Sequence, residues 1–246
     1  DLAVLIDACR WDMAIDSTLA EECFGTPTKV WSVGSNSASW LRRTFNHATK
    51  QQLSSTTYVT ANPFSETEVP SAVTMDEVWR YGYSEALGTT PPRSVTDRAI
   101  CHARENTPDR LLVHYMQPHL PPAYEKDGEE FGELGVREWK TENPWSAVQS
   151  GKVEKEAVLR AYKKNLDYIV EELDLLLENV EAPRSIITSD HGHAIGEDGE
   201  WGHGNFISLV PSVRYVPRWE TKATDTGNHS PDTYSQRGST TREKQL

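Results

Sequence analysis

The sequence predicts an α/β fold: a mainly parallel sheet flanked by helices on both faces. Short apolar and β-branched runs recur at about 2–6, 56–61, 110–116 and 184–189, as expected of strands buried within a sheet. Between them lie helical patterns, of which residues 153–180 are the clearest. There Val158, Leu159, Tyr162, Leu166, Ile169, Val170, Leu173 and Leu177 recur at three- and four-residue steps, the mark of an amphipathic, core-packing helix. Strands alternating with helices imply parallel pairing with crossover connections.

In chain order, Leu2-Ala3-Val4-Leu5-Ile6-Asp7 is a buried-strand pattern that ends in an acid. A weaker strand covers about 29–33. Residues 37–45 carry Trp40, Leu41 and Phe45 on a helical spacing. The strand at 56–61 is followed by an irregular stretch, 62–93, rich in Pro, Gly, Glu and Trp. A short helix at 94–105 precedes the strand at 110–116. Residues 120–152 are again irregular, and connections this long often form lids or binding loops. After the long helix come Arg184-Ser185-Ile186-Ile187-Thr188 and a weaker strand near 212–216. One domain spans 1–218. Residues 219–246 contain few apolar side chains and many Thr, Ser, Lys and Asp, so a disordered tail, dispensable for folding, is expected there.

At 246 residues the chain can bury a sizeable single core. It carries 37 acidic against 25 basic residues, a formal charge of -12, which disfavours nucleic acid as a partner because phosphates need a basic surface. The acidic, Lys-poor composition fits a halophilic source, where salt screens like charges. No apolar run approaches about 18 residues, so no membrane span is expected. With no leader visible in a chain that begins at Asp1, a soluble, cytoplasmic location is the default expectation. Cys9, Cys23 and Cys101 show neither metal-ligand spacing nor a disulfide framework, and Cys9 reads as a small buried side chain.

The chemistry concentrates at strand ends. Ser189-Asp190-His191-Gly192-His193 follows the strand at 184–188, where open α/β sheets place their sites. A carboxylate and an imidazole side by side can reach one divalent metal if the chain turns sharply, and Gly192 allows such a turn. Asp7 ends the first strand and is either a ligand or a cap of the following helix. Ser35, Ser37 and Ser39 follow Gly34 at the start of a helical stretch. There a hydroxyl can serve as nucleophile or as N-cap, and backbone N–H groups can bind an anion. His119 closes His114-Tyr115-Met116-Gln117-Pro118-His119, and His203 lies in Trp201-Gly202-His203-Gly204; His114 ranks lower, since it points to the opposite face of its strand from Tyr115. Imidazoles at such positions can protonate a leaving group near neutral pH. Arg10, close to Asp7, can neutralise substrate charge. His193 and Glu197 are expected behind the ligands.

Taken in order, the first strand ending in Asp7, the serine segment, His119-Leu120-Pro121 and Asp190-His191-Gly192 resemble the alkaline phosphatase superfamily on its sulfatase-like side, over roughly residues 2–217. The Asp7-Ala8-Cys9-Arg10-Trp11-Asp12 opening resembles archaeal sulfatase-like proteins. The resemblance implies an alkaline-phosphatase-like fold and one divalent metal held by Asp7, Ser35, Asp190 and His191. The mixed oxygen and nitrogen set suits Zn²⁺ or Mn²⁺ better than Mg²⁺ or Ca²⁺. Both the lipoteichoic-acid-synthase-like segment and the sulfatase segment, laid on this chain, put the nucleophile on Ser35, with Ser37 the alternative. His119 and His203 face the substrate in this alignment. Phe45 stands where sulfatases carry a Gly, and the Cys-x-Pro-x-Arg pattern needed to make formylglycine is missing after position 35. A serine attacking a phosphoester is therefore favoured over the sulfatase route. The implied activity is hydrolysis of phosphate or sulfate esters through a covalent seryl intermediate, on a small-molecule, glycan or lipid substrate. Transfer of a phospho-linked head group onto a glycan or lipid is the alternative, and a non-catalytic binding protein on the same fold is a third reading.

Overall fold

The computed structural model describes residues 1–121, 123, 144–204 and 209–232. Among them a seven-stranded sheet has the order β2-β9-β6-β1-β5-β3-β4. Its strands are β1 (Leu2–Asp7), β2 (Thr28–Trp31), β3 (Thr56–Thr60), β4 (Thr74–Glu77), β5 (Arg110–Pro118), β6 (Ala182–Thr188) and β9 (Tyr215–Ala223). A small ribbon pairs β7 (Ala194–Ile195) with β8 (Trp201–Gly202). Pairing is parallel from β6 through β1, β5 and β3 to β4, and β9 runs antiparallel to both β6 and β2. The expected mainly parallel α/β sheet is the observed one.

Apolar runs fill the central strands because both faces are covered. Along β3, Val59 joins the cluster that includes Leu166, Ile169 and Leu173, whereas Tyr58 joins Leu41 and Phe45 on the other face. The first face is covered by α6 (Pro92–Asn106) and α8 (Lys155–Leu177), the second by α3 (Ser37–His47). The three- and four-residue spacing of α8 buries Val158, Tyr162, Leu166, Ile169, Val170, Leu173 and Leu177, each large apolar side chain contributing roughly 1.5–3 kcal/mol. Short helices α1 (Trp11–Ile15), α2 (Thr18–Phe24), α4 (Lys50–Ser54), α5 (Ser65–Glu68), α7 (Pro144–Gln149) and α9 (Pro211–Arg214) fill the connections. None of the described helices is long and apolar enough to cross a membrane.

Three expectations are corrected. The stretch 62–93 contains β4, an edge strand too short and polar to stand out. The strand expected at 212–216 is a helical turn, α9, running into a strand that begins at Tyr215, because Pro211 sets the first helical position. Most consequentially, the domain does not end at 218. β9 continues to Ala223 inside the sheet and buries Val216, Trp219 and Ala223. Residues 224–232 then run along α6, where Arg104 pairs with Asp225 and His229 with Asp97. A single buried tryptophan and an alternating pattern outweigh a composition that looks disordered on average. The remainder of the expected tail, 233–246, and the connection at 124–143 lie outside the described residues.

Truncation after Pro217 removes most of β9, takes away every β9 partner of β6 and leaves β2 paired only to residues 215–217. It is expected to abolish cooperative unfolding by circular dichroism, and Trp219→Ala alone to cost about 3–5 kcal/mol in urea titration. A Pro217 truncation that melts like the full chain would show β9 to be an accessory strand.

Candidate active site

The C-terminal ends of β1, β3, β5 and β6 meet the N-terminus of α3, and each contributes a polar side chain. At the end of β1 the register against β5 shifts between Ile6 and Asp7, and Ala8 takes a left-handed φ of 60°, a conformation that costs a non-glycine residue energy. This turn carries Asp7 into the site and aims the Ala8 N–H at Asp190 Oδ1, 3.2 Å away. Asp190 Oδ1 also accepts from the His191 N–H at 2.9 Å and from Ser189 Oγ at 3.4 Å. Asp7 Oδ2 accepts from Asn62 Nδ2 at 3.0 Å and from Ser37 Oγ at 3.2 Å. In each carboxylate, one oxygen is anchored by donors. The other oxygen, Asp7 Oδ1 or Asp190 Oδ2, is buried without a hydrogen-bond partner.

His191 stands between them. Its Nδ1 lies 2.8 Å from the Gly192 carbonyl, which can only accept, so Nδ1 carries a proton and Nε2 is the nitrogen left to offer a lone pair to a metal. That Nε2 is 3.4 Å from both Asp7 Oδ1 and Asp190 Oδ2. Three electron-rich atoms facing each other in a dry site repel unless a cation or a proton lies between them. Ligands about 2.0–2.1 Å from a tetrahedral ion are roughly 3.3 Å apart, so the spacing fits a divalent metal. Burial, and next the neighbouring Asp190 charge, push the Asp7 carboxyl well above the usual range, as expected where two carboxylates share a site with no metal to balance them. The structure thus brings together Asp7, Asp190 and His191. Gly192 is needed for a different reason than the turn expected of it: a Cβ there would lie 2.1 Å from the Ser212 carbonyl oxygen.

Of the two serines weighed for the nucleophile, Ser37 is the one seen against the acids. Ser37, at the first turn of α3, points its hydroxyl at Asp7 Oδ2 and lies 3.4 Å from His191 Nε2. Ser35 is buried in the preceding loop, where its backbone N–H bonds Ser39 Oγ at 3.1 Å. Asn36 caps the helix by accepting from the Ser39 N–H at 2.8 Å, and the Ser39 hydroxyl completes a capping box. Ser35 and Ser39 thus lie within the cap, and Ser37 is turned toward the acids. A cap requires its own spacing, which an alignment to other families does not carry.

Arg10 is buried and ion-paired to Asp12 at 2.5 Å and Glu197 at 2.8 Å, and it donates to the His193 carbonyl at 2.9 Å. These contacts join the turn after β1 to the 193–197 loop. Glu197 also accepts from the Ile195 N–H.

Beside the acid cluster, His119, His193 and His203 converge, with one ring nitrogen of each within 4.8 Å of the others. His119 Nδ1 faces the Leu120 carbonyl at 2.6 Å and its Nε2 lies 3.3 Å from His203 Nε2. His193 Nε2 and His203 Nδ1 are buried without partners. Burial holds His119 down to about 4 and His203 down to about 3, so these rings are neutral at physiological pH. This second cluster was not expected from the sequence, which suggested one metal site only.

Sequence reasoning also undervalued His114 and missed Asn62. His114 is fully buried on β5 with Nε2 3.7 Å from Asp190 Oδ2, and burial holds it down to about 4. The available signal was a histidine inside an otherwise apolar strand, which needs a polar partner in the core. Asn62, two residues past β3, carried no signal.

No family model matches the chain. A phosphoethanolamine transferase, EptA, of Helicobacter pylori is 29% identical over 119 residues, covering 46% of this chain and 21% of the relative. The chain therefore spans only about a fifth of that curated relative. Among solved structures, the integral membrane lipooligosaccharide phosphoethanolamine transferase EptA of Neisseria meningitidis superposes with a TM-score of 0.65 at 15% identity, over 93% of this chain and 48% of that one. The C-terminal periplasmic domain of EptC from Escherichia coli, in complex with Zn, gives 0.59 at 10% identity, over 91% and 72%. In fold, the chain is similar to these phosphoethanolamine transferase structures.

Proposed function

We propose that the chain is a metal-dependent transferase that moves a phospho-linked head group through a covalent intermediate on Ser37. The observation that carries this reading is the Ser37 hydroxyl held against Asp7 and His191 beside two buried, partnerless carboxylate oxygens. Asp7, Asp190 and His191, with Ser37 Oγ, would hold one divalent metal, and Zn²⁺ suits this donor set best. When bound, the ion supplies positive charge that lowers the pKa of the serine hydroxyl and offsets charge on phosphoryl oxygens.

The residues divide the remaining work. Ser37 Oγ attacks phosphorus, forming one P–O bond as the donor's ester bond breaks. The proton that Ser37 Oγ gives up passes through the neutral His119/His203 pair, whose Nε2 atoms lie 3.3 Å apart, to the leaving oxygen. An acceptor hydroxyl then gives its proton to that pair and attacks the seryl ester, and the released Ser37 oxygen takes the proton back. Transfer rather than hydrolysis is supported by the sequence likeness to the Helicobacter pylori phosphoethanolamine transferase, which favours a phosphoethanolamine-like group and a glycan or lipid acceptor. The likeness to a periplasmic domain favours an extracytoplasmic setting over the cytoplasmic default.

Ser37→Ala is expected to abolish the covalent adduct seen by intact-protein mass spectrometry after incubation with a phosphoethanolamine donor, and to reduce transfer more than about 1,000-fold. Ser35→Ala is expected to keep the adduct. An adduct mapped to Ser35 by peptide sequencing would return the nucleophile to the position that the alignment favoured. Asp190→Asn, which removes a charged ligand, is expected to weaken Zn²⁺ binding at least 100-fold in competition titrations, and unchanged affinity would place the metal elsewhere.

The imidazoles give the metal-free protein a defined pH dependence. His114, His119 and His203 are held below their ordinary 6.5, at about 4, 4 and 3, so the unfolded chain takes up their protons first. Stability is therefore complete above about pH 7 and falls as pH drops from 6.5 toward 4, by roughly 1.4 kcal/mol per unit for each such group. Asp7, shifted upward, works in the opposite sense, and His193, also held down by burial, adds to the effect of the other imidazoles. Urea midpoints that rise between pH 7 and 5 would contradict the neutral-histidine core.

A further inference from the structure

Three histidines of the site have a hydrogen-bond partner at Nδ1 that decides what Nε2 offers. For His191 and His119 that partner is a carbonyl oxygen, so Nδ1 carries a proton and Nε2 is the nitrogen left to offer a lone pair. His114 is different. Its Nδ1 faces the Tyr58 hydroxyl at 2.7 Å, and a hydroxyl can give or take a proton. The direction follows from the next links. The Asn62 N–H donates to Thr60 Oγ1 at 2.9 Å, and Thr60 Oγ1 donates to the Tyr58 hydroxyl at 3.1 Å. Tyr58 accepts that bond, which leaves its own proton for His114 Nδ1. All four residues are buried, so the chain has no competing water to reverse it.

We propose that Tyr58 is a positioning residue: by donating to His114 Nδ1 it fixes the proton on Nε2, so that His114 enters the site as an N–H donor beside Asp190 and not as a metal ligand. Spacing alone would give the opposite answer, because Asp7, His114 and Asp190 offer ligand atoms within 4.8 Å of one another. His114 Nε2 is buried, has no partner within hydrogen-bond range and points toward Asp190 Oδ2 at 3.7 Å. A protonated nitrogen there attracts a carboxylate or an incoming anionic oxygen and repels a cation. Asn62 donates to Asp7 through its side chain and starts the Thr60–Tyr58–His114 chain through its backbone. The far end of that chain, His114 Nε2, points at Asp190 across 3.7 Å. This inference rests on the metal reading above only for its non-ligand half; the tautomer belongs to the metal-free protein.

The test uses the full chain labelled with ¹⁵N-histidine, in long-range ¹H–¹⁵N correlation spectra, with His114 assigned by the peaks lost in His114→Gln. Metal-free protein is expected to show His114 protonated on Nε2, and His191 and His119 protonated on Nδ1. Addition of one equivalent of Zn²⁺ should move the His191 Nε2 resonance and leave the His114 Nε2–H in place. Tyr58→Phe should bring a measurable fraction of His114 into the Nδ1–H form. His114→Gln, which keeps a donor, should hold Zn²⁺ within about threefold of wild type. Proton on Nδ1 of His114 in the wild-type, metal-free spectrum overturns the proposal, as does a metal-induced loss of its Nε2–H. A protein that binds no Zn²⁺ would defeat the metal reading while the metal-free spectrum still decides the tautomer.

Discussion

Two carboxylates buried face to face are the constraint around which the rest of the site is arranged. Asp7 and Asp190 are 2% and 0% exposed, and burying a second like charge at that distance is tolerable only with directed compensation. The scaffold compensates one oxygen of each with donors from Ala8, His191, Ser189, Asn62 and Ser37. The turn at Ala8, the register shift at Asp7 and the helix start at Ser37 are the backbone features that deliver those donors. Such a site stores unfavourable electrostatics in its empty form, which is the usual signature of a place prepared for a cation.

Neutral imidazoles surround this centre, and the low polarity that keeps them neutral also strengthens each hydrogen bond that orients them. The supporting residues are largely internal to the fold. Arg10 pairs with Asp12 and Glu197, and the effect is to hold His193 and its loop rigid against β9's entry at Ser212 and Val213.

The sheet was legible in the sequence wherever a strand was buried on both faces, because such strands are continuous apolar runs. β1, β3, β5 and β6 read clearly for that reason. β4 and β9 did not: one is a polar edge strand, and the other alternates charged and apolar residues because its neighbours bury only part of it. Within the site, Asp7, Asp190 and His191 were legible because each sits at a readable strand end. Ser37 was not separable from Ser35, since the choice depends on which serine lies inside the helix cap. His114, Tyr58 and Asn62 act through contacts between separate strands, and single-sequence periodicity carries no information about who faces whom across a ladder.

The placement of β9 has a consequence for how the molecule is made. β6 and β2, 150 residues apart along the chain, are joined only through the last strand among the described residues. During synthesis the edge of β6 stays open until residues 215–223 emerge, and β2 has no sheet partner at all before then. Non-local pairing of this kind slows folding and leaves a strand edge free to pair with other chains meanwhile.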